Sequence, residues 1–285
     1  MRPLQLSQIS QFVQEISGAE PVELLAEPPS AWHYTSVTAL SSILTGGFRL
    51  SHIHTMNDPR ELVTDGLLVA GDALKELDLG QRSDGTRHTA KIEFESAIQE
   101  VYVLSFSELG DQPLMWRRYG DTGAGVALKV DATRLTNLGV LNGGSKRLNL
   151  AFRCRYVESI EEQNHQYVQK FLEALNGVGL RKNEEAQARA RELIAALFVC
   201  LASTKLSILS EEKEIRILNI PFERQGKVEC IGNQLRKVYT WKDSNSAIEE
   251  VKRGPFNLSE RHDFLYEELS QRKGFRLSKS KSPYC

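Results

Sequence analysis

Residues 211–220 read EEKEIRILNI: three carboxylates within four positions run directly into alternating apolar residues. Successive side chains of a strand point to opposite faces. An extended chain here sends Glu212, Glu214 and Arg216 to one face and Lys213, Ile215 and Ile217 to the other. Two carboxylates this close raise each other's proton affinity, and a neighbouring arginine counters that by favouring the ionised forms. The pattern suits a point that must present negative charge at a fixed place, although adjacent glutamates are more commonly just solvated.

Working outward from that strand, VYVLSFS (101–107), GVALKVD (125–131) and AFRCRYVE (151–158) are β-rich runs. KVECIG, LRKVYTW and GFRLSKS read as further strands, and AIEEVKR (247–253) as helical. Leu6, Ile9, Phe12, Val13 and Ile16 recur at helical spacing and predict an amphipathic first helix ended near Gly18. After the connector AEPPSA, the short segment AWHYT meets Ser36, a good N-cap, and a helix stopped by Gly46 and Gly47. From Leu67 to Gln99 the pattern predicts helix broken by the polar loop GQRSDGTRH. Two helical patterns fill residues 158–203, the second ending in LIAALFVCLAS, which is apolar nearly all round and so predicted to be buried.

Neither repeats nor a long linker interrupt this order, so the fold class expected is α+β. The domain reading is an N-terminal helix and connector over 1–30, then a single domain over 31–285 with a helical insertion at about 158–203. Of 285 residues, 41% are hydrophobic, enough for a substantial core. The net charge of -1 supplies no long-range field to hold nucleic acid or membrane non-specifically. Four scattered cysteines, Cys154, Cys200, Cys230 and Cys285, fit a reducing cytoplasm better than a disulfide framework. The longest apolar run is about half the roughly 20 residues that span a bilayer, so no membrane partner is expected.

Three clusters carry chemical potential: His33-Tyr34-Thr35 at a strand end, Ser105-Phe106-Ser107, and Glu212-Lys213-Glu214. Singly, each has an ordinary structural explanation, since a histidine beside Trp32 is commonly packed and serines at strand ends cap backbone. Their order carries more. HYT (33–35), NDPRE (57–61), SFSE (105–108), MWRRYG (115–120), GVAL (125–128), EKEIR (212–216) and SKSPY (280–284) together resemble a bacterial family called domain of unknown function 2971, grouped with the ADP-ribosyltransferase-like fold.

The resemblance implies a split β-sheet core with flanking helices, and NAD as substrate. By position it implies that His33 and Thr35 contact the adenosine side of NAD, that Ser105 and Ser107 lie on the next core strand, and that Glu214 meets the nicotinamide ribose, with Glu212 its upstream partner. Tyr34 goes with its neighbours in HYT. Asn57, Asp58, Glu61, Trp116, Tyr119 and Arg216 match family positions for which the resemblance supplies no role. Ile215 stands where relatives carry an aromatic residue, and Ser282 where they carry an apolar one.

Chemistry gives these residue types independent sense. Breaking the ribose–nicotinamide bond builds oxocarbenium-like charge on the sugar, which a fixed carboxylate stabilises. Glu214 is expected in that role. Glu212 is expected to orient or deprotonate a nucleophile, and Tyr119 or Trp116 to stack on nicotinamide, though both aromatics also suit a core. On this reading crowded acids are tolerable because a cationic transition state sits between them. The expected function is therefore NAD-dependent ADP-ribosyl transfer to a protein or nucleic acid, or NAD hydrolysis, with no metal and, by analogy, service as a toxin or phage-defence effector.

The contrasting reading is a non-catalytic nucleotide-binding module on the same fold. His52, His54 and Asp58 form a third candidate, the start of a metal site. Arg117, Arg118, Arg153 and Arg155 are candidate phosphate ligands, since guanidinium forks match phosphate oxygens.

Overall fold

Strand alternation and helical spacing translate into a mixed α+β architecture in the computed structural model, which describes residues 5–53, 78–81, 87–89, 94–95, 98–137, 147–177, 184–221, 226–231, 234–256 and 263–283. The strands are β1 (Ala31–Thr35), β2 (Phe48–His52), β3 (Asp78–Gln81), β4 (Arg87–Thr89), β5 (Tyr102–Ser107), β6 (Val126–Val130), β7 (Arg147–Arg153), β8 (Arg155–Val157), β9 (Thr204–Leu206), β10 (Glu214–Pro221), β11 (Lys227–Ile231), β12 (Gln234–Trp241), β13 (Ile248–Arg253) and β14 (Arg276–Lys279). The helices are α1 (Leu6–Ser17), α2 (Val37–Gly46), α3 (Pro113–Arg118), α4 (Ala132–Asn137), α5 (Ile160–Gly177), α6 (Glu184–Ser203) and α7 (Asp263–Lys273).

Strand β5 is the pivot of the main sheet. Along one edge it pairs with β10 over its whole length, from Ser107 opposite Glu214 to Tyr102 opposite Asn219, and β7 lies beyond β10. Its other edge is shared between two strands. The β2 strand takes one end, with Ser51 opposite Val103 and His52 opposite Tyr102, while β1 meets only Ser107, through Trp32. Among the described residues no strand pairs with Leu104–Phe106 on that edge. The sheet therefore divides into an arm β1-β6-β13-β14 and an arm β2-β12-β11. The expected split sheet, with flanking helices and an N-terminal helix, is present.

Each face of the sheet buries its own core. On one side α1, α5 and α6 cover Val103, Phe152, Leu218 and Ile220; on the other, Leu104, Phe106, Ile215 and Ile217 pack with Leu40, Phe48 and Trp241. The α1 stripe of Ile9, Phe12, Val13 and Ile16 is buried as its spacing predicts, and Gly18 ends the helix at φ +73°. The run from Leu193 to Ala202 is likewise buried on all sides. In α2, the Ser36 hydroxyl accepts a hydrogen bond from the Ala39 amide at 3.1 Å, the expected N-cap.

Three expectations change. AIEEVKR is strand β13: a bulge between Ile248 and Glu250 shifts the register, so Ile248 and Val251 both turn inward although three apart, a spacing that reads as helical. AFRCRYVE is two strands rather than one, parting at Cys154 so that β8 leaves the main sheet and pairs in parallel with β9. The ends of GQRSDGTRH belong to a hairpin, β3 with β4, which no apolar periodicity announces.

Candidate active site

The face of β10 that meets the helical layer changes character along its length. Leu218 and Ile220 pack against α6, and beyond the end of that helix the same face carries Arg216 and Glu214. Arg216 is 1% exposed; its Nη1 donates to the Ala202 carbonyl at 2.7 Å, near the negative end of α6, and its Nε donates to Glu214 Oε1 at 2.6 Å. The expected pairing of Glu214 with Arg216 is thus made.

Glu212 reaches the site by another route than strand alternation. Residues Ser207–Glu212 form a 3-10 turn, and Lys213 adopts a left-handed conformation at φ +44° before the strand begins at Glu214. Backbone bonds lock this junction: Ser107 Oγ donates to the Glu212 carbonyl at 2.7 Å, and the Glu108 amide to the Lys213 carbonyl at 3.0 Å. The two carboxylates then converge on one cation. Lys205 Nζ donates to Glu212 Oε2 at 2.6 Å and to Glu214 Oε2 at 2.5 Å. Crowding of the acids is therefore relieved within the protein by a lysine between them, in addition to the Arg216 that the spacing of the strand supplies.

Position 205 is set by the small β8–β9 sheet, in which Tyr156 lies opposite Lys205. Both side chains of that pair serve Glu214, Lys205 at its carboxylate and the Tyr156 hydroxyl as acceptor of its amide at 2.8 Å. Around Glu212, Arg118 Nη1 donates to Oε1 at 2.6 Å and the Tyr119 hydroxyl to the same oxygen at 3.0 Å. Burial pushes the Glu214 carboxyl up, but Arg216 and Lys205 outweigh burial and hold it at about 2. Burial, and then the Glu212 charge, push the Tyr119 phenol up, so it stays protonated and donates.

The opening in the sheet is where His33 enters. Its Nδ1 lies 3.0 Å from the Ser105 carbonyl, within the stretch Leu104–Phe106 of β5 that, among the described residues, neither β1 nor β2 pairs with. A carbonyl can only accept, so Nδ1 carries the proton and Nε2 has a free lone pair. Burial lowers the His33 pKa more than that bond raises it, leaving a neutral ring edge-on to Phe48 and Phe106.

A cavity of about 680 Å³ joins these groups, within the range of small-molecule pockets. Of the residues singled out in the sequence, His33, Tyr34, Thr35, Ser105, Arg118, Tyr119, Glu212, Glu214 and Arg216 line it. Tyr34 contributes ring surface only, because its hydroxyl donates to the Leu109 carbonyl at 2.8 Å and accepts from the Gln112 amide. Ser107 and Trp116 lie behind the wall. Ser107 buttresses Glu212; Trp116 is fully buried edge-on to Tyr34, with its indole N–H on Asp111 at 2.8 Å. Asn57, Asp58 and Glu61 lie outside the described residues. Sequence reasoning missed Lys205, Arg49, Ser51 and Tyr156, of which the first three line the cavity.

The other candidates resolve differently. Arg153 pairs with Glu108 and Glu23, and Arg155 with Glu20. His52 Nε2 faces the carbonyls of Ile98 and Gln99 at 3.1 and 3.0 Å, while His54 and Asp58 lie outside the described residues. Among the described residues no group of three or more His, Cys, Asp or Glu is placed to hold a metal. No described helix is long and apolar enough to cross a membrane.

Residues 115–217 match the model of a family described as a protein of unknown function (DUF2971), the family that the ordered motifs resemble; MWRRYG, GVAL and EKEIR fall within the match. No curated protein matches the chain. The chain is similar to a solved structure, Thermus sp. 2.9 DarT in complex with NAD+, at 14% identity and a TM-score of 0.32, over 90% of this chain and 96% of that one. A likeness that loose passes no residue role from DarT to this chain.

Proposed function

We propose that the cavity binds NAD and breaks its ribose–nicotinamide bond, passing ADP-ribose to a macromolecular acceptor or to water. The observation that carries this reading is Glu214: a buried carboxylate held ionised by Lys205 and Arg216, on the wall of a cavity that His33 and Ser105 also line. As the bond from C1′ to nicotinamide breaks, its electron pair leaves with neutral nicotinamide and positive charge spreads over the ribose. Glu214 stabilises that charge where it develops, without having to lose a proton first. Neutral His33, its Nδ1 proton committed to Ser105, offers Nε2 as acceptor to a ribose hydroxyl. Arg118 and Arg49 stand on the same wall for the pyrophosphate. Glu212, held by Lys205, Arg118 and Tyr119, orients the incoming nucleophile, whose proton passes to a carboxylate as the new bond to C1′ forms.

Incubation of the purified protein with nicotinamide-labelled and adenylate-labelled NAD, with and without cell lysate, tests this. Wild type should release nicotinamide, and Glu214→Gln should lose at least about 100-fold, the scale of removing one group that stabilises transition-state charge. Wild type equal to Glu214→Gln, with no release and no labelled macromolecule, overturns it.

A second reading, nucleotide binding without turnover, draws on the same cluster. Both oxygens of Glu214 already accept from cationic donors, and the wall carries Arg49, Arg118, Lys205 and Arg216 against Glu212 and Glu214, a surplus of two positive charges. That balance favours an anionic ligand. Calorimetry in which Glu214→Gln binds ADP-ribose more tightly than wild type, with neither turning NAD over, selects this reading.

A further inference from the structure

Lys205 is an unusual lysine. It is 1% exposed, it follows the buried end of α6, and its ammonium contacts both acids of the cavity wall at 2.5–2.6 Å. Burying an ammonium is costly unless its charge and its donors are answered. Here the two carboxylates answer it, one from the end of a 3-10 turn and one from the start of β10. We propose that Lys205 is a positioning residue that clamps Glu212 and Glu214 into a single acidic pair, fixing the separation of the two carboxylates and keeping Glu214 charged at the cavity wall. The clamp rests on the reading of Glu214 as the carboxylate that faces the substrate sugar, and it assigns that reading a residue outside every motif.

The geometry separates a clamp from an ordinary ion pair. Arg216 already satisfies Glu214 Oε1, and Arg118 with Tyr119 already satisfies Glu212 Oε1. Each acid also offers its Oε2 to the same nitrogen, and on Glu214 Oε2 the Arg216 Nη2 contact is longer, 3.4 Å against 2.5 Å, so Lys205 is the link through which displacement of one acid is felt by the other. Among the described residues, the charged and titratable groups that face the trio are Arg118 and Tyr119 from the end of α3, Tyr156 from β8, Arg216 from β10, and His33 from β1 and Arg49 from β2 along the cavity. Of these, Arg216 also favours ionised Glu214, so loss of Lys205 weakens that preference without abolishing it.

The test is a carbon-13 NMR titration of the Glu214 carboxyl in the ligand-free protein, assigned by its disappearance in Glu214→Gln and compared between wild type and Lys205→Met. The methionine keeps the volume of the stem and removes the charge. The Glu214 midpoint should rise by about 1–3 pH units, the effect of losing an opposite charge at contact distance. The acid limb of nicotinamide release should move with it. A double variant, Lys205→Met with Glu212→Gln, removes one charge of each sign and guards against a folding failure of the single one; its Glu214 midpoint should also exceed that of wild type and of Glu212→Gln alone. A midpoint unchanged from wild type in the folded variants overturns the clamp, whether or not NAD is consumed. A raised midpoint in a protein whose wild type releases no nicotinamide upholds the clamp and overturns the NAD-cleaving reading instead.

Discussion

Substituting Glu214 by glutamine should destabilise the fold by an amount that depends on pH, and the structure fixes both its size and its sign. The Glu214 carboxyl is held at about 2 against an ordinary value of 4.5. At 1.36 kcal/mol per unit, that difference corresponds to about 3 kcal/mol of stability. Because the folded value lies below the unfolded one, the contribution is complete above about pH 4.5 and fades as pH falls through about 2. At about pH 3 roughly half of it, about 1.4 kcal/mol, remains. Glutamine has nearly the shape of the protonated acid, so the variant lacks the contribution at every pH. Urea unfolding of both proteins, extrapolated to water at about pH 7, 5 and 3, should show a gap of about 3 kcal/mol at the first two and about half of that at the last. A gap that stays level from about pH 7 to about pH 3, or widens, refutes the claim that Lys205 and Arg216 outweigh burial at this carboxylate.

Other outcomes follow from individual contacts. Tyr156→Phe removes the acceptor of the Glu214 amide and should cost about 1–3 kcal/mol in urea unfolding, the penalty of stranding a buried polar group. Ser36→Ala strips the cap of α2 and should cost about 1 kcal/mol by the same measurement, with no effect on the Glu214 titration. Gly110→Ala would place a Cβ 2.1 Å from Cε2 of Trp32, a wall of the cavity, so it should shift tryptophan fluorescence and weaken nucleotide binding in calorimetry; unchanged emission would show that the wall has room to yield.

Strands β5, β6, β10 and β12 were legible from alternation, and α1, α2 and α6 from helical spacing, a cap and an apolar run, because these signals live within a few residues of each other. Within the site, Glu214 and Arg216 share a face as their spacing of two dictates. Glu212 meets them for a different reason, a left-handed Lys213 that no periodicity encodes. Trp116 and Tyr119, three apart on one short segment, were indistinguishable in sequence. The structure packs the first against Tyr34 and gives the second to Glu212. The β13 bulge shows the converse failure, an irregular strand whose apolar spacing imitates a helix.

What the sequence determined alone is the set of elements and the presence of two acids and an arginine at the mouth of β10. Folding decided the counterion between those acids and the opening in the sheet. Lys205 looks like any solvated lysine in ASTKL, since nothing local distinguishes a cation that will be buried from one that will not. Its place follows from the parallel pairing of β9 with β8, segments about fifty residues apart along the chain. The opening likewise exists because β1 and β2 divide one edge of β5 between them. Side-chain period is a property of a single segment, whereas charge compensation and strand adjacency are properties of segments brought together, and only the folded chain specifies them.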